Sequence, residues 1–330
     1  YDPPAGGSFF PILGSAQGLS YGPSVTALDA PWADRQNPAA SAAQQRTVLD
    51  AGYTALVDLA GGGQGFGSAA ALGLSPPKPY GVWSAGIDFV STPGAMSYLP
   101  LGTVVDFRGG IAKDLFPDFF VGGALDLSLG SQGWGAGIDL GVMKLLGDQG
   151  AFKDLRWGAV LKGIGKPYSG AVSSPFTLLG GARALLVREG DWKIAVGAEL
   201  SLPSFQDLGF GLSGGVTYRD ILTFRANWSQ DLRELIAGTS KRSLLPSFGL
   251  SAVIPLKRSA DGSYLSKQGW DQAELKPALS AAPLYGGVWA IGASASLPLG
   301  VLDKNPPKIV ATFPASKPAY ISPNNDGVQD

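Results

Sequence analysis

The chain has 330 residues but contains no cysteine and no histidine. Without cysteine it can form no disulfide, no thiolate-held iron–sulfur cluster and no thiol nucleophile. Without histidine it lacks the most common general base and zinc ligand, and it cannot assemble a Ser-His-Asp triad. We therefore expect no enzyme activity, no metal site and no cofactor.

Charge and long apolar runs are also scarce. Charged residues make up only 15% of the chain and the formal net charge is −1, whereas soluble domains carry about 25% charged residues. This balance does not favour a nucleic-acid partner. Hydrophobic residues make up 45% of the chain, yet no run is long enough for a transmembrane helix. The hydrophobicity must therefore be distributed finely along the sequence.

What the sequence has instead is alternation with a period of two. In the stretch DWKIAVGAELSLP every second residue from Trp192 to Leu202 is apolar, while Lys193 and Glu199 fall on the opposite face. Successive side chains of a strand point to opposite faces, so this pattern predicts a strand with one apolar and one polar face. Twelve such segments are predicted, at residues 47–60, 80–92, 101–113, 117–130, 133–146, 154–165, 175–189, 191–202, 207–219, 220–230, 244–257 and 285–299.

Alternation alone fits two architectures. A soluble β-sandwich places its apolar faces in a dry core, whereas a membrane barrel turns them towards lipid and encloses the polar faces. Low charge along the whole chain and segments of about the 9–11 residues that cross a bilayer favour the barrel. Aromatic residues near segment ends also favour it, as in interface girdles: Tyr80, Trp83, Trp134, Phe152, Trp157, Tyr218, Phe224, Trp228, Tyr285 and Trp289.

The barrel interpretation places many charges in the lumen. The acidic ones are Asp58, Asp88, Asp106, Asp126, Asp139 and Glu199, and the basic ones are Arg108, Arg156, Lys162, Arg183, Lys193, Arg219 and Arg225. Because an unpaired buried charge is costly, we expect these groups to neutralise one another and to hydrate the interior. A GxGxxG match at Gly209–Gly214 lies within a strand pattern rather than before a helix, so it does not predict a nucleotide site.

The two ends of the chain differ from the strand region. Residues 1–46 are rich in small residues, residues 47–302 hold the strand pattern, and residues 303–330 form a Pro-rich tail. Pro38 disfavours helix at Asn37, so the chain is expected to turn there. We interpret these three parts as an N-terminal lumen plug, a transmembrane barrel and a periplasmic linker.

The N-terminal stretch LSYGPSVTALDAPWADRQNPAASA resembles the signature of the FadL-like outer-membrane proteins, a group that includes the PorV and PorQ proteins and their spirochaete relatives. The matching positions are Ala27, Asp29, Ala30, Asn37, Pro38, Ala39 and Ala40. The resemblance implies an antiparallel barrel of fourteen strands in the bacterial outer membrane, with Asp29, Asn37, Pro38 and Ala39 as the plug motif. Two further strands would then lie within residues 61–79 and 258–283. Otherwise the barrel has twelve.

The same resemblance implies two alternative functions. FadL-like relatives take up hydrophobic compounds such as long-chain fatty acids, so an apolar tail would bind near Phe9, Phe10, Ile12 and Leu13. Its carboxylate would then meet Arg108, Arg183 or Lys193. PorV-like relatives instead serve as docking subunits for secreted or surface proteins. Here the gripping parts would be residues 66–79, residues 258–283 or the tail.

The tail carries a second resemblance. ISPNNDGVQD is similar to segments that lead into Ig-like modules of bacteroidete and spirochaete proteins. The resemblance implies that the natural chain continues into such a domain. The partners expected from sequence are therefore outer-membrane lipid, a hydrophobic small molecule and a protein bound through loops or the tail.

Overall fold

The structure is a computed structural model. It describes residues 13–21, 26–28, 30–44, 46–59, 65–92, 101–168, 176–238, 243–256 and 273–299. The predicted ligand residues Phe9, Phe10 and Ile12, the motif residue Asp29 and the tail lie outside these ranges.

Fourteen strands form the wall of the molecule. They are β1 (Thr47–Asp58), β2 (Phe66–Ser75), β3 (Gly81–Ser91), β4 (Thr103–Phe116), β5 (Phe119–Gly130), β6 (Gly133–Gln149), β7 (Phe152–Lys166), β8 (Thr177–Glu189), β9 (Trp192–Pro203), β10 (Gly209–Tyr218), β11 (Leu222–Asp231), β12 (Ser247–Ala252), β13 (Glu274–Pro283) and β14 (Val288–Leu299). Two-residue strands at Pro77–Lys78 and Ile254–Pro255 extend the pairing of β3 and β13.

The sheet closes on itself. Each strand pairs antiparallel with the strands before and after it, and β1 pairs with β14 along its whole length, from Thr47 opposite Leu299 to Asp58 opposite Val288. β12 pairs with β13 over a shorter stretch, from Phe248 opposite Ala281 to Ser251 opposite Ala278, which completes the ring. The predicted antiparallel barrel is thus confirmed, with fourteen strands rather than twelve. Closure leaves no open sheet edge within the wall.

Both hidden strands lie where the resemblance requires them. β2 falls within residues 61–79 and β13 within residues 258–283. The interpretation of residues 66–79 and 258–283 as gripping loops is therefore wrong for Phe66–Ser75 and Glu274–Pro283. Their backbone groups are committed to neighbouring strands on both sides, so these segments are wall.

The barrel has two unlike ends. The end that β1 enters and β14 leaves carries the tight turns 117–118, 150–151, 190–191 and 219–221, and we call it the turn end. Its exception is the long connection between β12 and β13. The opposite end, the loop end, carries the connections 59–65, 92–102, 167–176 and 232–246. Short turns face the periplasm in outer-membrane barrels, and both termini of the wall lie on that side.

Outward positions are apolar and inward positions are polar. Leu125, Leu127 and Leu129 of β5 are exposed on the outside, whereas Asp126 binds a lumen arginine. This is the register that the sequence predicts, and a slip of one residue would exchange the two faces. One predicted girdle residue is wrong: Tyr285 is buried, because its hydroxyl lies 2.9 Å from both the Asp231 and the Glu234 carboxylates.

Helical segments are short. α1 (Ala16–Tyr21) and two 3₁₀ helices, Pro31–Arg35 and Pro38–Ala43, precede the wall, and α2 (Leu232–Ala237) follows β11. Within the described part of the chain, no helix combines the length and apolarity needed to cross a membrane. α1 packs against β12, β13, β14 and β1, while the second 3₁₀ helix packs against β3, β4, β5 and β6. Residues 13–44, where described, therefore fill the lumen, and we call them the plug.

The plug touches the wall at glycines. A Cβ at Gly141 would lie 2.1 Å from Asn37 Oδ1, and one at Gly158 would lie 2.2 Å from the carbonyl oxygen of Thr26. A Cβ at Gly249 would lie 2.1 Å from the Cβ of Ser20 on α1. Real Cβ contacts are never this short, so only glycine lets the plug backbone lie so close to the strands.

These contacts predict a difference between two wall glycines. Gly141→Ala is expected to destabilise the barrel by about 1–3 kcal/mol, because the added methyl overpacks against Asn37. Gly214→Ala is the matched control, since a Cβ there meets no atom within 4 Å. Urea unfolding in detergent, followed by heat-modifiable gel migration, measures both. Equal stability of the two variants would contradict the packing described here.

Candidate functional site

Arg35 of the plug lies against the inner face of the first three strands. Its guanidinium lies 2.7 Å from Asp50 on β1 and 3.0 Å from Asp88 on β3. Its Nη2 also donates to the backbone oxygen of Leu72 on β2, at 3.0 Å. The side chain is 8% exposed. One plug residue thus connects three adjacent strands through charge-assisted bonds.

Arg108 forms a second ion-pair centre, this time from the wall. Its Nη1 lies 2.6 Å from Asp126 on β5 and 2.9 Å from Asp139 on β6. Its Nη2 donates to the backbone oxygen of Asp34, the residue before Arg35, at 3.1 Å. The wall arginine is therefore bonded both to neighbouring strands and to the plug.

Three further polar contacts hold the plug. Lys162 of β7 donates to the backbone oxygen of Arg35 at 2.8 Å. Glu199 of β9 accepts from the Thr26 backbone nitrogen at 2.9 Å and from the Thr26 hydroxyl. Because Glu199 is 1% exposed, its carboxylate is available to the plug rather than to bulk water.

The plug motif Asn37–Pro38–Ala39 forms the junction of the two 3₁₀ helices. Asn37 is extended, at φ −130° and ψ 108°, as the following proline predicts. Its side-chain oxygen accepts from the Ala39 nitrogen, which caps the second helix. Its amide nitrogen donates to the Thr26 oxygen at 2.6 Å and to the Val142 oxygen on β6 at 3.1 Å. The asparagine thus joins two parts of the plug to the wall.

Burial and neighbouring charges shift the pKa values of the plug residues Asp34 and Arg35. Burial raises the pKa of Asp34 above its usual value, although Arg35 and Arg108 act in the opposite direction. For Arg35, burial lowers the pKa, but Asp88, Asp50 and Asp34 outweigh it and hold the guanidinium pKa above its ordinary value. Arg35 therefore stays charged at neutral pH.

An apolar cluster occupies the lumen at the loop end. Leu13 and Leu19 of the plug contact inward residues of β1, β2, β13 and β14, together with Leu101 and Leu284 of the connecting loops. The wall members are Leu56, Ala69, Ala282, Val288 and Ala290. Barrel lumens are usually polar, so this cluster, which we call the apolar mouth, is a departure from the common pattern.

Arg183 of β8 and Arg225 of β11 lie beside the plug on the opposite wall. Their guanidinium carbons are 5.7 Å and 4.3 Å from the centre of the Tyr21 ring. Arg225 also donates to the Ser251 hydroxyl at 2.9 Å. The Tyr21 ring in turn packs on Trp32 at 5.4 Å between centroids. No carboxylate of the described residues forms an ion pair with either arginine.

The predicted ligand residues are therefore separated. Leu13 lies in the apolar mouth and Arg183 lies beside Tyr21, whereas Arg108 is fully engaged with Asp126 and Asp139. Lys193 pairs with Asp220 at the turn end. The prediction that Arg219 faces the lumen is wrong. Arg219 lies in the turn 219–221 beside Asp220, and its exposed side chain pairs with Asp191 of the neighbouring turn 190–191.

Sequence reasoning missed Arg35, Asp34 and Asp50. The available signal was charge itself: Asp34 and Arg35 are adjacent charges in a plug stretch that has few others. Asp50 shares strand parity with Gly52 and Thr54 on the inward face of β1. The pairing of Arg35 with Asp50 and Asp88 could not be inferred, because it depends on where the plug lies against the strands.

Comparison with solved structures identifies the fold. The toluene transporter TbuX of Ralstonia pickettii matches with a TM-score of 0.51 at 13% identity, over 86% of this chain and 96% of that one. A FadL homologue of Pseudomonas aeruginosa gives 0.50 at 10% identity, over 88% and 97%. A TodX monoaromatic hydrocarbon channel mutant gives 0.52 at 13% identity, over 84% and 96%. The fold is thus that of a bacterial outer-membrane barrel, as the sequence predicts.

Sequence comparison adds no relative. No protein-family profile matches the chain, and no curated protein matches it significantly.

The ion pairs of Arg35 predict what holds the plug in place. Arg35→Met should leave Asp50 and Asp88 without their cation, and breaking a buried pair in this way typically costs about 3–5 kcal/mol. We expect a loosened plug and larger ion conductance in planar bilayers. Arg219→Met is the control, because the Arg219 pair lies in an exposed turn. Unchanged conductance in Arg35→Met would show that packing alone retains the plug.

Proposed function

We propose that this chain is an outer-membrane channel for the uptake of hydrophobic small molecules. The observation that carries the proposal is the apolar mouth inside the lumen at the loop end, formed by Leu13, Leu19 and the inner wall. A water-filled diffusion pore would have no use for an apolar cluster there, and its lumen would not be filled by a plug held by buried ion pairs.

The fold is consistent with this role. The transporter TbuX and the hydrocarbon channel TodX, whose folds it shares, are described by their names as carriers of toluene and monoaromatic hydrocarbons. An entering apolar compound would replace the Leu13 side chain in the mouth. A non-enzymatic role accords with the lack of histidine and cysteine.

The finer proposal is that the compound is a long-chain fatty acid. Leu19 belongs to the apolar mouth, and Tyr21 lies two residues further along α1 beside Arg183 and Arg225. An acyl chain in the mouth could thus direct its carboxylate towards Arg183. Among the residues that the structure describes, no carboxylate forms an ion pair with Arg183. Arg108 and Lys193 are less suited, because each already has an acidic partner.

The coarse proposal predicts loss of binding when the mouth is made polar. Leu56→Gln, on the wall side of the mouth, should weaken the binding of both toluene and hexadecanoate by about tenfold, since a buried leucine contributes roughly 1.5–3 kcal/mol. Leu125→Gln is the control, because Leu125 faces lipid. Equilibrium binding to the purified protein in detergent is the measurement. Failure of the wild type to bind either compound, together with a co-purified stoichiometric protein, would favour the docking alternative.

The finer proposal predicts a selective effect. Arg183→Gln should weaken the binding of hexadecanoate but not of toluene, because only the acid has a carboxylate to pair. Lys193→Gln should change neither, since Lys193 lies at the turn end with Asp220. Equal loss of both ligands in Arg183→Gln would point to a packing role for Arg183 and would remove the argument for a fatty acid.

A further inference from the structure

The connection between β11 and β12 carries exposed apolar residues that the lumen does not use. Ile236 is 78% exposed, Leu244 67%, Leu245 58% and Leu235 40%. The neighbouring connection between β9 and β10 adds Phe205, 64% exposed, whose ring packs edge-on against Phe176 at 5.3 Å. We call Phe176, Phe205, Leu235, Ile236, Leu244 and Leu245 the rim platform.

Hydrogen bonds connect the two segments that carry the platform. The Leu232 nitrogen donates to the Leu208 oxygen at 2.8 Å, and the Arg233 nitrogen donates to Asp207 at 3.2 Å. Arg233 Nη1 also donates to the Gln206 oxygen at 3.2 Å. The two connections are therefore joined by three hydrogen bonds, and the apolar side chains of both remain exposed.

The backbone at Phe205 is also unusual. Ser204 and Phe205 both have positive φ, at 48° and 55°. A bulky residue rarely adopts this conformation, and such strain persists only where the surroundings impose it. Here the strained turn holds an aromatic ring outward, next to Phe176.

The position of Gln230 shows on which side of the wall the platform lies. Along β11, Leu222, Phe224 and Trp228 share the parity of the lipid-facing side, and Gln230 is the next residue of that series. Gln230 is nevertheless fully buried, and its side-chain nitrogen donates to the Ser243 oxygen at 3.0 Å. The connection at Ser243 thus lies over the outward face of β11, whereas Glu234 of α2 faces Tyr285 beside the lumen.

The platform adjoins the lipid-facing ends of β8 and β12. Phe176 follows the outward parity of Leu178, and Leu178 is opposite Leu202 on β9. Leu244 and Leu245 precede the outward Phe248, whose ring stacks on Phe224 at 6.2 Å. The platform is apolar, lies outside the wall and adjoins the lipid-facing surface. Lipid is therefore a better partner for it than water or a ligand in the lumen.

We propose that the rim platform is a membrane-interface anchor, immersed where the acyl chains of the adjoining leaflet meet their head groups. It fixes the height and tilt of the barrel on the β9–β12 side, as amphipathic interfacial elements do. This inference rests on the barrel fold alone and is independent of the proposed uptake function.

The absence of cysteine makes a direct test simple. Single variants Ile236→Cys and Leu245→Cys are spin-labelled and reconstituted in phosphatidylcholine–phosphatidylglycerol vesicles. The collision rates of each label with oxygen and with a water-soluble nickel chelate are then compared. Leu250→Cys serves as the lipid-facing control and Gln132→Cys, in the exposed two-residue turn at the same end, as the water-facing control.

Both platform labels are expected to resemble Leu250→Cys, with oxygen favoured over nickel several-fold more than at Gln132→Cys. Nickel accessibility equal to that of Gln132→Cys would overturn the proposal. Dipolar broadening that disappears on dilution with unlabelled protein would also overturn it, in favour of a second copy of the chain. Heat-modifiable migration verifies folding of each variant, and Leu244→Cys replaces any variant that does not fold.

Discussion

The interior of this barrel depends on the neutralisation of inward carboxylates by two arginines. Arg108 comes from the wall and binds Asp126 and Asp139, whereas Arg35 comes from the plug and binds Asp50 and Asp88. An unpaired charge in such a site costs several kcal/mol. The wall of β1–β3 therefore depends on the plug to neutralise Asp50 and Asp88. The apolar cluster around Trp32 and Ala33 is formed within the plug itself, so it does not replace these ion pairs. Wall and plug stabilise each other.

The lumen charges are also distributed unevenly over the strands, and this distribution favours one orientation of the plug. Apart from Glu199 on β9, the inward carboxylates named above lie on β1 and β3–β6, together with Arg108 on β4, whereas Arg156, Lys162, Arg183 and Arg225 lie on β7, β8 and β11. The plug presents Arg35 to the acidic side and the Tyr21 ring to the basic side. Half a turn of the plug would bring Arg35 towards Arg183 and Arg225, so the field of the wall favours the observed arrangement.

The sequence was sufficient for the barrel and its register, but not for two strands or for the ion pairs. β2, with the sequence FGSAAALGLS, lacks contrast between its faces, because Ala69 and Ala71 occupy inward positions. The plug explains those small residues: a Cβ on Gly14 would lie 2.4 Å from the Cβ of Ala71. Where the plug contacts the wall, the inward side chains must be small. The alternation of apolar and polar residues that indicates a strand is then lost. β13 is similarly obscured by Pro277 and by the run ALSAA.

The plug is anchored unevenly, and this bears on how an apolar compound could pass. Residues 30–44 hold the wall through Arg35, Asn37 and the backbone of Asp34. Residues 13–21 contain no charged side chain and hold the wall mainly by packing, with a long bond from Gln17 to the Lys276 oxygen at 3.4 Å and the Tyr21 ring beside Arg225. Displacing α1 thus breaks mainly apolar contacts, which an apolar ligand can replace, whereas displacing residues 30–44 breaks ion pairs that it cannot. The segment that can yield to a hydrophobic compound is therefore the one that already lines the apolar mouth.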